Sequence, residues 1–405
     1  MRITTLLAAG SLLALGTSLA AAQSGPIQVK AGVLNDMSGT YADVGGQGAV
    51  VAAQLAVEDF KASEAGANIE VEIVSADHQN KPDVAATTAR TWFDTDGVDV
   101  ILDLPTSSAA LAVADLAKQM DKVVIISGGG TSDLTGKACS PNTVHWTYDT
   151  WALAHGTGSA LVREGQDSWF FLTADYAFGH ALERDTSASV TEAGGTVVGT
   201  VRHPFPSQDF SSFLLQAQAS GAKVVGLANA GADTINAIKQ ASEFGIVQGG
   251  QSLAGLLMFI SDIHALGLQT AQGLVLTEAF YWDKDEETRA WSQRFAEKFD
   301  GKMPTSSQAG VYAGLLHYLK AVAATGTDSA TEVMAEMKAT ENDDPLFTSG
   351  PIRADGRKIH DMYLFRVKTP EQSTGPWDYY ETVATIPAAE AFRPMEGSEC
   401  QMPQN

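Results

Sequence analysis

From residue 27 onward, short apolar runs alternate with longer stretches whose apolar residues recur every three or four positions. "IQVKAGVL" reads as a strand, and in the following "GGQGAVVAAQLAVEDF" Val50, Ala53, Val57 and Phe60 share one helical face. "IEVEIVSAD" sets Ile69, Val71 and Ile73 against Glu70 and Glu72, the alternation of a strand near a sheet edge. "PDVAATTARTWF" opens with Pro82, whose fixed φ and missing N–H suit a first helical turn. "VDVILDL" and "KVVIIS" are almost continuously apolar, as strands of a parallel sheet covered on both faces are. Repeated strand–helix units predict an α/β fold built on a doubly wound sheet.

The rhythm restarts further along. "SWFFLT", "GTVVGTVRH", "AKVVGLANA" and "SLAGLLMFI" predict four strands, separated by helices around 178–193, 209–220 and 231–245. A ninth strand, "GLVLTEAFYW", leads into helices around 285–300 and 307–325. "FTSGPIRADGRKIHDMYLFRVK" reads as two strands joined by a turn at Ala354-Asp355-Gly356-Arg357. From about residue 385, with Pro387, Pro394 and Pro403, an irregular tail is expected, held by Cys400 alone. Two successive α/β units without a Pro/Ser-rich linker predict two lobes packed side by side.

The first 22 residues place the protein. Arg2, the apolar run Leu6 to Leu15 and the small residues Ala20 to Ala22 form the pattern of a signal peptide cleaved before Gln23. The run is too short to span a bilayer, and no lipobox precedes the cleavage point, so an exported, soluble chain without membrane insertion is expected. Losing Arg2 takes the formal charge from −22 to −23, which repels phosphate backbones and disfavours nucleic-acid binding. The mature chain of about 380 residues suits two domains. Its two cysteines, Cys139 and Cys400, are expected to form a disulfide in an exported protein, the alternative being a reactive thiol or metal ligand.

Catalytic and cofactor patterns are missing. The sequence holds no GxSxG, HExxH or GxxxxGK[ST], and its SxxK match, Ser220 to Lys223, has no SDN or KTG partner. The 8 histidines show no metal-ligand spacing, and Gly45-Gly46-Gln47-Gly48 lacks the rest of a dinucleotide fingerprint. No enzyme activity, metal or cofactor is therefore expected.

Ligands of open α/β sheets sit beyond the carboxyl ends of the strands. There the chain reads "NDMSGTYADVGG", "DLPTSSAALA", "SGGGTSD", "TADYAFG" and "ANAGADT", rich in hydroxyls, glycine, Asn229 and aromatic rings. Thr106, Ser107, Ser108 and Thr131 lie near helix N-termini, where unpaired N–H groups favour a carboxylate; the competing reading makes them ordinary N-caps. Gly129 and Gly130 let a ligand approach the backbone, or else serve tight strand–helix packing. Tyr41, Tyr176 and Phe178 are candidate pocket walls, and Trp146 and Tyr148 are further aromatics that follow a strand end.

"VLNDMSGTYADVGGQGAVVAAQLAVEDF", "TSSAALAVADLA", "VIISGGGTSDLT" and "FLTADYAFGHALERD" together resemble the periplasmic solute-binding proteins of ABC importers, in particular the leucine/isoleucine/valine-binding type. The resemblance implies two Rossmann-like lobes joined by a three-crossover hinge near 145–149, 278–282 and 346–351. Lobe one would be 26–146 plus 281–347, lobe two 147–280 plus 348–390, and the tail 391–405. It also implies a carboxylate held by Ser107 and Thr131 with Gly129 and Gly130, and aromatic contacts from Tyr41, Phe178 and neighbouring Tyr176. The acid that grips an ammonium in amino-acid-binding members has no counterpart: Leu257 or Met258 stands in its place, with Asp262, Asp233 and Glu278 as conceivable substitutes. A small carboxylate solute, aromatic acids included, is expected ahead of a branched-chain amino acid. The implied partners are an ABC permease and its ATPase, with the receptor monomeric. A sensing module for a signalling partner and a secreted enzyme are the other classes.

Overall fold

The computed structural model describes residues 25–396 and 398–402, so the expected signal peptide at 1–22 lies outside the described residues. Strands β1 (Ile27–Asn35), β2 (Ile69–Asp77), β3 (Val100–Asp103), β4 (Val123–Ile126) and β5 (Thr143–His145) form a parallel sheet in the order β2-β1-β3-β4-β5. Its crossover helices are α1 (Gly46–Ala62), α2 (Pro82–Thr91) and α3 (Ser107–Met120). The apolar runs have the physical cause inferred from the sequence. Val123 and Ile125 face the core containing Leu55 and Phe60 of α1, while Val124 and Ile126 face the core containing Val113 and Ala117 of α3. Both faces of β4 are covered, so alternation disappears.

A second parallel sheet follows α4 (Thr150–Leu153) and α5 (Ser159–Arg163). It contains β6 (Ser168–Ala174), β7 (Thr196–His203), β8 (Val224–Ala228) and β9 (Ser252–Gly255), in the order β7-β6-β8-β9. Helices α6 (Ala177–Glu192), α7 (Ser211–Ala219), α8 (Ala232–Glu243), α9 (Ile260–Leu266) and α10 (Leu268–Ala271) connect and flank its strands. Trp169 and Phe171 of β6 point into one core, Phe170 and Leu172 into the other.

After β10 (Val275–Glu278) the chain returns to the first sheet through α11 (Glu286–Lys298), α12 (Ser306–Thr325) and α13 (Ala330–Ala339). Arg294 pairs with Asp59 at 2.6 Å and Lys298 with Glu58 at 2.9 Å, which fixes α11 against α1. Then β11 (Met362–Val367) and β12 (Tyr380–Ile386) join β10 in an antiparallel sheet, before α14 (Ala388–Ala391). The result is two α/β lobes with a three-strand antiparallel appendage. Among the described residues no helix is long and apolar enough to cross a membrane.

Two expectations need correction. The hairpin around Ala354–Arg357 keeps its turn but shrinks to an isolated bridge between Ile352 and Lys358. Its second strand is present as β11 but pairs with β10 and β12, while the turn itself extends the edge of β5, His145 N donating to Gly356 O and Lys358 N to His145 O. The tail is also held by more than Cys400, since β12 runs to Ile386, Phe392 is buried, and Arg353 Nη1 donates to Arg393 O at 2.8 Å.

Cys139 and Cys400 are bonded, with their Cα atoms 5.6 Å apart and a sequence separation of 261. Closing so long a loop removes denatured-state entropy, and C139A/C400A is expected to lose about 2–5 kcal/mol in denaturant unfolding. Denatured, unreduced protein should show no titratable thiol; two thiols per chain would contradict the bond.

Candidate ligand-binding site

The carboxyl ends of both parallel sheets face one cleft. Tyr41 and Val44 follow β1, Pro105 follows β3, Gly128 follows β4 and Tyr148 lies in the crossover after β5. From the other lobe come Tyr176 and Phe178 after β6, Ala230 after β8, and Leu257 and Phe259 after β9. These ten residues line one small cavity between the lobes. Five are aromatic and none carries a charge.

The lobes touch across this space. Tyr41 OH and Tyr176 OH share a hydrogen bond, and Ala232 N donates to Thr40 O at 3.2 Å. Phe205 stacks 4.2 Å from Tyr176 and 5.6 Å from Tyr41. Gly231, at φ +58°, brings the start of α8 so close that a Cβ would lie 2.5 Å from Thr40 O. Gly130 makes the matching concession on the first lobe, where a Cβ would sit 2.9 Å from the Phe178 ring and 3.2 Å from Tyr148.

Thr131 N donates to Ser107 Oγ at 3.1 Å, joining the loop after β4 to the N-terminus of α3. Both residues are fully buried, and the first N–H groups of α3 have no intrahelical acceptor. Tyr148 OH donates to Gly128 O at 2.6 Å, and Thr150 N to Gly130 O at 2.8 Å, so the glycine loop is held from the hinge side. Beneath it Asp103 accepts from Asn35 Nδ2 at 2.9 Å, Ser307 Oγ at 2.8 Å and Ser127 Oγ at 3.2 Å. Burial nevertheless pushes its carboxyl up to about 6.

The sequence-based candidates divide. Tyr41, Tyr176 and Phe178 lie in the cavity wall, while Ser107, Thr131 and Gly130 stand directly behind or beside it. Thr106 turns away: its hydroxyl donates to Asn80 Oδ1, and Asn80 holds Asp36, whose carboxylate accepts from Tyr41 N at 2.8 Å. It therefore positions the Tyr41 loop. Gly129 packs against Leu104 O and Ala110, and Ser108 is half-buried in the first turn of α3, outside the wall. Asn229 is occupied within lobe two by His203 at 3.1 Å and Thr234 at 2.7 Å. Trp146 is fully buried against His317, 5.7 Å away, and does not line the cavity. Asn229 and Trp146 were expected at the ligand because they follow strand ends, yet their side chains serve the surrounding packing.

The apolar positions Val44, Pro105 and Ala230 carried no chemical signal in the sequence, and Leu257 stood out only through the resemblance. Of the conceivable ammonium partners, none lies in the wall. Asp262 accepts from Phe259 N at 2.9 Å, Asp233 from Ser207 N at 3.1 Å, and Glu278 from Ser306 Oγ at 2.5 Å. Burial pushes Asp233 and Asp262 up to about 7, and Glu278 well above its usual range.

These shifts have a signed consequence. An acid raised on folding keeps its proton longer in the folded chain, so its contribution to stability is complete below about pH 4 and is lost as pH rises through its folded pKa. Asp233→Asn keeps an oxygen for Ser207 N and is expected to flatten the decline of stability between about pH 4 and pH 7 relative to wild type. Urea unfolding across that range measures it, and parallel pH curves would refute it.

Residues 28–375 match the family described as "Periplasmic binding protein". The Leu/Ile/Val-binding protein homolog 6 of Brucella melitensis biotype 1 is 27% identical over 368 residues, spanning 88% of this chain and 92% of its own. Among solved structures, a periplasmic binding protein from Burkholderia mallei is 51% identical with a TM-score of 0.90, over 93% of this chain and 99% of that one. A branched chain amino acid ABC transporter periplasmic ligand-binding protein from Burkholderia xenovorans LB400 is 42% identical with a TM-score of 0.82, over 93% and 100%. Two lobes meeting at strand-end loops, and relationships running through most of the length, lead to one assignment: the chain belongs to the type I periplasmic binding proteins, the solute receptors of ABC transporters.

Proposed function

We propose that the chain captures a small carboxylate-bearing solute, with aromatic acids favoured, and delivers it to an ABC permease and its ATPase. The observation that carries this reading is the wall itself, five rings and no charged side chain, with Leu257 or Met258 where the resemblance would put the acid of amino-acid-binding members. The carboxylate would meet Ser107, Thr131, Gly130 and the N-terminus of α3, with Tyr148, Tyr176, Phe178 and Phe259 around the ring. Hinge closure of lobe one (26–146 plus 281–347) onto lobe two (147–280 plus 348–390) encloses it. The exported chain would do this in the periplasm as a monomer.

Fold relatives give the reading context. A solute binding protein from R. palustris, 21% identical with a TM-score of 0.80, was solved in complex with benzoate, and another, 22% identical, in complex with 4-hydroxybenzoate. A second reading, a branched-chain amino acid, draws support from the description of the 42% identical Burkholderia xenovorans protein.

A thermal-shift panel separates the two. Benzoate-type or keto acids are expected to raise the melting temperature, and stabilisation by leucine or valine alone would reject the preference. With a stabilising acid in hand, Ser107→Ala and Thr131→Ala should each weaken binding by about 1–3 kcal/mol in titration calorimetry, as for hydrogen bonds to a charged group.

A further inference from the structure

A polar cluster joins the lobes beside the cavity, and the chain's last segment runs through it. On the first-lobe side are Ser132 and Asp133, next to Thr131 of the glycine loop. On the second-lobe side are Thr150 at the start of α4 and Arg184 and Asp185 on α6. Ser132 Oγ and Thr150 Oγ1 both donate to Asp185 Oδ2 at 2.6 Å, and Ser132 N donates to Thr150 Oγ1 at 3.0 Å. Arg184 reaches across to Asp133 at 3.1 Å.

Arg393 enters this cluster from the tail. Its Nη2 lies 3.3 Å from Asp185 Oδ1 and 3.3 Å from Ser132 Oγ, one partner in each lobe. The residue before it, Phe392, lies under the buried Arg357 guanidinium, 4.1 Å from charge centre to ring. Arg353 holds the Arg393 carbonyl at 2.8 Å. The segment is anchored at both ends: β12 ties it to the β10–β11 sheet, and Cys400 ties it covalently to Cys139 near the first sheet.

We infer that residues 388–396, anchored by Cys400, form a strap that favours the closed arrangement of the lobes, with Arg393 as its positioning residue and the disulfide as its anchor. Opening the cleft separates Ser132 from Asp185, so a guanidinium donating to both loses at least one acceptor. The strap weights the open–closed equilibrium, and solute affinity and residence time inherit that weight from residues that do not touch the cavity. Because the anchor is a disulfide, the weight also depends on the thiol–disulfide state of the chain.

Small-angle X-ray scattering of the mature, solute-free protein tests this without knowledge of the solute, so its outcome is independent of the proposed ligand. A compact chain of this length has a radius of gyration of about 21 Å. Arg393→Ala and C139S/C400S should both give a larger radius than wild type, while Arg393→Lys, which retains the charge, should recover part of the difference. Asp185 keeps Arg184 Nε at 2.9 Å in Arg393→Ala, so its melting temperature should fall by only a few degrees. Superimposable curves for wild type, Arg393→Ala and C139S/C400S would overturn the strap. Expansion of Arg393→Ala alone would overturn the anchoring role of the disulfide, and expansion of the cysteine variant alone would overturn the role of Arg393. Should Arg393→Ala fail to fold, wild type with its disulfide reduced carries the decision, unchanged scattering refuting the proposal.

Discussion

The hinge depends on one buried guanidinium. Arg357 is fully inside the protein and donates to the carbonyls of Trp146 at 2.6 Å, Thr147 at 2.8 Å and Tyr148 at 3.2 Å, with Asp149 3.6 Å away. Three consecutive carbonyls in a crossover have no ladder to pair with, and a planar group with five donors satisfies them together. Burial pulls the arginine down to about 10, so it stays charged at neutral pH, and Asp149 opposes the shift. The bonds propagate: a fixed Tyr148 carbonyl sets where its ring stands, its hydroxyl holds Gly128, and Thr150 holds Gly130. The wall of the cavity thus inherits part of its position from Arg357. Removing the guanidinium would leave several buried acceptors unpaired, each costing on the order of 1–3 kcal/mol.

The lobes were legible in the sequence because the signal is repeated and local. Continuous apolar runs such as Val123 to Ile126 announce two covered faces, and the helical stretches recur between them. The site was legible to the extent that strand ends converge in a parallel sheet: Tyr41, Tyr176 and Phe178 could be placed from topology alone. Two kinds of residue escaped. Asn229 and Trp146 carry side chains that look functional at the right distance from a strand, but which way a side chain turns is decided by neighbours such as His203 and His317, far away in sequence. Arg357 sits in an ordinary turn motif, and its partners lie more than 200 residues upstream. β12 was hidden for a related reason: its exposed residues Glu381 to Thr385 give no apolar alternation to read.

The electrostatics of the cavity connect the fold to the choice of solute. Tyr148 is raised well above its usual range, first by burial and then by Glu278, Asp103, Tyr176 and Asp262. Three acids therefore act on a ring in the wall, and burial raises each of them above its ordinary value. For an anionic solute this matters, because a neutral carboxyl does not repel a carboxylate and an ionised one in low dielectric does. A bound anion would in turn hold the protons more firmly, whereas a bound ammonium would draw them off, since coupling between two sites is reciprocal. The two readings of the solute thus pull on the same buried acids in opposite directions. A wall of uncharged rings, backed by acids that burial pushes toward the neutral form, would cost an anion less than one backed by ordinary carboxylates.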